Sequence, residues 1–294
     1  LTSFKHYITT LQYSEAAAMS PNSNYGTANQ TESQNGHLGG ESETEPLLSK
    51  GSQSFRQKFS SHLTKPVSKA WADLILLACY TITGLLDSSA VFIWGSFVSM
   101  QTGNTVYLGL GLVEPDSSNR WKRALISIGS FCLGSLCFGL FHRSLGGRKR
   151  WVVLASFTMQ LSLIVAAALM VTLGSTEGPG MHWHVVVPLA LLAFQSSGQA
   201  VASRVFQYNG LPSVVLTSTY CDLFSDPKLF TGLKDNPERN RRVAAPILLL
   251  AGACCGGLFA KSPIGLAGAL WTAAGLKACV VCAWFVWKGE EDDE

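Results

Sequence analysis

The stretch SMQTGNTVYLG, residues 99 to 109, sets Gln101, Thr102, Asn104 and Thr105 around Gly103 in an otherwise apolar neighbourhood. Amides and hydroxyls donate and accept hydrogen bonds, so this group can coordinate a solute or satisfy the loose ends of a helix. With no nucleophile beside a base, it makes a poor catalytic set. Gly103 lets the backbone turn or approach closely. Upstream, Asp87 places a carboxylate inside an apolar run, where an acid is costly and faces an interior, a cavity or a counter-charge. Downstream, in AFQSSGQAVASR, Gln195 and Gln199 lie four apart on one helical face, as Ser196 and Ser203 do at a spacing of seven. That face is polar enough to border a cavity, while Gly198, Ala200 and Ala202 suit it equally to close helix packing. A second polar interruption, SVVLTSTYCD from Ser213, supplies Thr217 and Thr219. These ten residues, Asp87, Gln101, Thr102, Gly103, Asn104, Thr105, Gln195, Gln199, Thr217 and Thr219, are the candidates for a solute or proton site. The competing role for the same groups is to cap helix ends and hold helices together. Lys277, deep in the last apolar run, needs a partner, for which Asp87 is one candidate.

The elements that carry them are set by composition. Of 294 residues, 47% are hydrophobic and only 14% charged, against about 25% charged in an ordinary soluble domain, and the mean hydropathy is +0.23. So few charges cannot cover a soluble surface. Six apolar runs, near 71–93, 123–141, 151–174, 184–204, 243–260 and 264–287, reach the roughly 20 residues needed to cross about 30 Å of hydrocarbon. The fold class is therefore an all-α polytopic membrane protein, with two shorter elements near 97–112 and 212–224 that are polar in the middle and predict broken or re-entrant helices. The net charge of +3 is small and confined to the edges of these runs, which argues against nucleic acid as a partner; membrane lipids are the implied surroundings.

Orientation follows from Lys and Arg, which mark cytoplasmic ends. Lys50, Arg56, Lys58, Lys65 and Lys69 precede the first span. Arg143, Arg148, Lys149 and Arg150 separate the second from the third, and Lys228, Lys234, Arg239, Arg241 and Arg242 precede the fifth. Six crossings with the N-terminus inside put all three clusters in the cytoplasm, although Arg120, Lys122 and Arg123 then fall on the opposite side. The order long, short, long, long occurs twice, over 71–174 and 184–287. With three crossings in each copy, an inverted repeat follows. Aligning FVSMQTGNTV from Phe97 with SVVLTSTYCD from Ser213 brings Thr102 and Asn104 near Thr217 and Thr219.

Residues 1–68 are rich in Ser, Thr, Asn, Gln, Gly and Glu without helical or strand period, and predict a disordered cytosolic tail; 69–288 form the transmembrane domain and 289–294 an acidic tail. The tail carries an acidic dileucine pattern, Glu43 with Leu47 and Leu48, which would engage sorting adaptors and favour a vacuolar or endosomal membrane over the plasma membrane. It also carries a sequon at Asn29 that an inside tail leaves unglycosylated. No P-loop, H-E-x-x-H or nucleophile–base pair is present, so no enzyme activity, cofactor or catalytic residue is implied. The eight Cys lie mainly in apolar segments, and the Cys279–Cys282 pair has no His or acid nearby in sequence, so no metal site is implied either. His142 is read as part of the basic loop, and His182 and His184 as neighbours of an interfacial Trp183.

The segment GLLDSSAVFIWGSFVSMQTGNTVYLGLGL, residues 84–112, resembles the G-x-x-D-A segment and the F-V-S-N-M-T-G-N-T signature of the YoaK family, also called domain of unknown function 1275, multi-pass membrane proteins of bacteria and fungi. Ser88 and Met100-Gln101 stand where that pattern has Ala and Asn-Met. LLAFQSSGQAVASR and LPSVVLTSTYCDL are similar to the family's G-x-Q-N and V-V-T-G-T segments, with Ser197 and Ser218 departing from Asn and Gly. The resemblance is to a fungal-type member and covers roughly 71–287. It implies a polytopic fold and an important role for Asp87, Gly103, Asn104 and Thr217, with no activity attached. Two functions stay open: a secondary transporter of a small solute or ion, with proton coupling through Asp87 as one form, and a nontransporting scaffold or sensor that recruits partners through its cytosolic tail.

Overall fold

The computed structural model describes residues 60–69, 71–174, 181–208, 210–211 and 213–289. Among the described residues from 72 on, eight helices follow one another: α1 (Ala72–Trp94), α2 (Gln101–Val113), α3 (Arg120–Leu145), α4 (Arg150–Leu173), α5 (Trp183–Val205), α6 (Thr217–Phe224), α7 (Pro237–Lys261) and α8 (Gly265–Val286). Six are long and apolar enough to cross a membrane, and they are the six anticipated from hydropathy. The two short ones, α2 and α6, begin at Gln101 and Thr217, positions that the alignment of Phe97 with Ser213 sets opposite one another. Among the described residues there is no strand, only isolated bridges of Pro66 with Lys149 and of Val67 with Gly289. The dileucine pattern, the sequon at Asn29 and the end of the acidic tail lie outside the described residues.

Helices α1 and α5 are the most enclosed, whereas α3 and α7 turn broad apolar faces outward. Each central helix lies along one outer helix, α1 on α7 and α5 on α3, and α1 also meets α5. The remaining neighbours are α4 with α8, α5 and α3, α8 with α1 and α7, α2 with α3, and α6 with α7. Exchanging α1–α4 with α5–α8 leaves this set of pairings unchanged. The α1–α7 seam depends on glycine, because a Cβ at Gly84 would sit 2.0 Å from the Leu249 carbonyl oxygen and one at Gly252 2.1 Å from that of Thr81. Backbones approach this closely only where side chains are absent.

Charges at helix ends have specific employment. Arg120 donates from Nε to the Gly95 carbonyl (2.5 Å) and lies over the Tyr107 ring at 3.9 Å, while Arg123 donates to the Trp94 carbonyl (2.7 Å). These arginines, which weigh against the six-crossing orientation by charge count, close the carbonyl end of α1 and complement its dipole. At the other face, Asn236 caps α7 by accepting from the Arg239 N–H (3.0 Å), with Pro237 in the first turn. Asp73 meets Arg241 at 2.6 Å.

The polar tail read as disordered through residue 68 is ordered over its last part. Val67 is fully buried and donates its N–H to the Arg148 carbonyl (2.8 Å), and Ser68 donates to that of Lys288 (3.1 Å). Backbone pairing to the α3–α4 turn and to the end of α8 fixes a segment whose composition alone would leave it loose. The Arg150 guanidinium joins the same junction, donating to the carbonyls of His62 and Trp287.

Two outcomes are expected. In thermal melts of purified protein, G84A and G252A should each lose about 1–3 kcal/mol, the usual cost of overpacking. G257A, where a Cβ meets nothing within 4 Å, should be close to neutral. Before α7, the Asn236 side-chain amide and the Lys228 N–H hold the Asp226 carboxyl below the usual aspartate range. This stabilisation is complete above the ordinary value of about 3.9 and is lost as pH falls through the lower folded value. D226N should therefore melt below the parent at neutral pH, with the gap closing on strong acidification.

Candidate functional site

The turn from α1 into α2 is built from side chains that replace missing backbone partners. Asp87 accepts from the N–H groups of Val98 (2.8 Å) and Ser99 (2.9 Å) and from the Ser99 hydroxyl. Asn104, fully buried, accepts from the Ser96 hydroxyl and the Phe97 N–H, each at 3.0 Å. Its NH2 donates to the Phe97 carbonyl (2.8 Å), Gln101 Oε1 (2.9 Å) and the Ser127 hydroxyl (3.1 Å). Ser127 also donates to the Phe97 carbonyl at 2.8 Å, which ties the turn to α3. Asp87 is seven residues before the end of α1 (87 to 94) and Ser127 seven after the start of α3 (120 to 127). At 1.5 Å per residue, the first turn of α2 sits roughly 10 Å inside both helix ends.

The corresponding turn after α5 is reached by Gln199, which is buried and donates to Thr83 Oγ1 (3.1 Å) and the Ser213 hydroxyl (3.4 Å). Lys277, also fully buried, donates to Gln199 Oε1 at 2.6 Å and lies 5.1 Å from the Phe157 ring centroid. The Asp87 carboxylate is occupied by the α2 lead-in. Lys277 pairs with Gln199, a partner that no sequence spacing indicated.

Between α3 and α5 lies a cavity of about 1330 Å³. Gln101, Thr102 and Gly103 of α2 border it, as do Thr217 and Ser218 of α6 and the residues leading into both helices. Its α3 wall is Phe131, Ser135, Gly139, His142 and Arg143, and its α5 wall includes Ala200 and Arg204; Arg148 is also at its edge. No Asp or Glu lines it. The N–H groups of Thr102, Gly103 and Ser218 find no acceptor among the described residues, as expected for the opening turn of a helix. His142 is 2% exposed, with Nδ1 3.0 Å from the Gly147 carbonyl and Nε2 without a partner.

The family model described as a protein of unknown function, DUF1275, matches residues 75–283. The chain belongs to that family. No curated protein and no solved structure matches it. In this DUF1275 chain the candidates separate into two groups. Gln101, Thr102, Gly103 and Thr217 reach the cavity. Asp87, Asn104 and Gln199 hold the turns behind it, and Thr105 returns its hydroxyl to the Gln101 carbonyl (2.9 Å). Thr219 is buried, with its hydroxyl directed at the Val215 carbonyl (3.4 Å), and Gln195 donates to Ser196 (3.0 Å) inside the helix packing.

His142 is the principal residue the sequence left aside. It falls in the last turn of α3, which runs through Leu145, and not in a loop. The spacing of Ser135, Gly139 and His142, by four and three, could have indicated one helical face. Arg204, at the edge of α5, borders the same cavity.

Truncating Asn104 leaves the Phe97 N–H without an acceptor in a buried turn and takes one donor each from the Phe97 carbonyl, which keeps Ser127, and from Gln101 Oε1. N104A should cost about 2–3 kcal/mol in unfolding measurements. N104D should not rescue it, because a carboxylate cannot donate to the Phe97 carbonyl or Gln101 Oε1. T105A should stay within about 0.5 kcal/mol of the parent.

Proposed function

We propose that the protein is a secondary transporter of a small solute, with the cavity between α3 and α5 as its central site. The observation that carries this is that first-turn residues of two short helices, α2 and α6, line one cavity within a bundle of helices long enough to span a membrane. Irregular backbone at membrane depth is tolerated only where protein or a cavity satisfies it, and broken helices facing a midplane site are the usual architecture of transporters.

The unchanged set of helix pairings on exchange of the two halves supports an inverted repeat, in which α2 and α6 are re-entrant elements. In such a repeat the α1–α7 seam is the counterpart of the α3–α5 cleft. The seam is closed by its glycines, leaving an apolar recess of about 380 Å³ bordered by Gly84, Asp87, Phe97 and Ala253. This unequal pair fits one state of an alternating-access cycle, open on the side of Arg143 and Arg204, which the charge rule makes cytoplasmic.

Purified protein in liposomes should take up at least one member of a broad panel of radiolabelled solutes, with a pH-sensitive dye reporting any coupled proton movement. Gly139 borders the cavity and a Cβ there meets nothing within 4 Å, so G139F brings a ring to the cavity wall from an uncrowded position. Its uptake should fall to that of empty liposomes with an unchanged melting temperature, whereas G129F, on exposed α3 surface, should retain uptake. Absence of uptake across the panel, or full uptake by G139F, would remove this proposal.

A further inference from the structure

We infer that the cavity takes an anion, a small oxoanion or carboxylate, held by Arg143, Arg204, His142 and the first-turn amides of α2 and α6. This rests on the transport reading of the same cavity and names its substrate class. Three independent features converge. The first is charge: Arg143 and Arg204 face the cavity and no carboxylate does. Arg143 makes no hydrogen bond or ion pair among the described residues. Arg204 uses one Nη1 bond to the Ala200 carbonyl (3.0 Å), which leaves most of its five donors available. Orientation by positive charge accounts for arginines at a membrane face, but not for their sharing a concave wall with two helix N-termini.

The second feature is His142. Its Nδ1 faces the Gly147 carbonyl and so carries a proton; His142 lines the cavity, and its Nε2 is buried without a partner among the described residues. A nitrogen in that setting calls for a ligand atom. Neutral, it accepts from the hydroxyl of a monoprotonated oxoanion; protonated, it donates to a bare oxygen. The Phe141 ring meets it edge-on, with the ring centroids 5.8 Å apart.

The third feature is the backbone. The unbonded N–H groups of Thr102, Gly103 and Ser218 open helices whose positive ends meet at the cavity, an arrangement suited to negative charge. The Thr102 and Ser218 hydroxyls add neutral donors. A volume of about 1330 Å³ exceeds a bare inorganic anion, so there is room for an organic anion or for a hydrated one.

A free anion and the phosphate of an anionic lipid share this chemistry, and the test separates them. Full-length protein in nanodiscs of phosphatidylcholine, and separately of phosphatidylglycerol, is titrated calorimetrically with sodium phosphate, sulfate and acetate, with choline chloride as the cation control. Saturable binding of at least one of these anions in phosphatidylcholine is expected. Affinity should fall about tenfold or more in R204Q and H142A, the loss of a charge-assisted bond, and should vanish in S135D, which adds a carboxylate to the wall. K122Q, outside the cavity, should bind as the parent does. Binding retained in phosphatidylcholine but abolished in phosphatidylglycerol supports the same chemistry and assigns the site to a headgroup. No saturable anion binding in either disc by folded parent protein, or equal affinity in R204Q and H142A, overturns the inference. Flux of a neutral or cationic solute without anion binding overturns only the anion assignment. Anion binding without flux overturns only transport.

Discussion

Every backbone N–H and carbonyl inside hydrocarbon must find a partner, and a chain that interrupts its helices at membrane depth has to supply those partners from side chains. The region before α2 does so with Asp87 for two amides and Asn104 for an amide and a carbonyl. Everything else at the centre depends on that solution. The helix can begin well inside the ends of α1 and α3 because its lead-in is satisfied, and its first-turn amides stay unbonded beside the cavity.

The two halves place different residues at these turns. Near α2 a carboxylate accepts backbone N–H groups; near α6 the Gln199 amide meets the Ser213 hydroxyl, with Lys277 supplying a charge on Gln199 Oε1. An amide both donates and accepts, so Gln199 connects α1, α8 and the turn before α6 through Thr83, Lys277 and Ser213, where Asp87 can only collect donors. The halves also differ in how tightly their long helices meet. Glycines draw α1 onto α7 until a Cβ at Gly84 or Gly252 would meet the opposite backbone, while α3 and α5, close at Gly134, part around Gly139 and Ser135.

Much of this was legible in the sequence. The six spans follow from apolar length, and the two short elements from polar residues in the middle of otherwise apolar runs. Asp87 and Asn104 could be singled out because polar groups in hydrocarbon must have a reason. Which reason was beyond the reach of spacing: Asn104 serves the lead-in to its own helix and Ser127 on α3, and that second partner is invisible until α3 folds back. The Gln195–Gln199 face has a helical period compatible with a cavity wall or with packing. Packing against α1 and α8 claims Gln199, and Gln195 is enclosed beside it.

The sequence by itself determined that the protein is helical, spans a membrane and has a net-basic rim. These properties are sums over local composition and need no knowledge of neighbours. Only the tertiary structure decided that His142 is buried beside a cavity, that Lys277 is answered by an amide and not by Asp87, and that the openings of α2 and α6 border one space. Residues such as Gln199 and Lys277 are 78 positions apart. Their pairing depends on how the helices cross, and crossing is set by the fit of glycine-lined backbones across the whole bundle, which no single segment encodes.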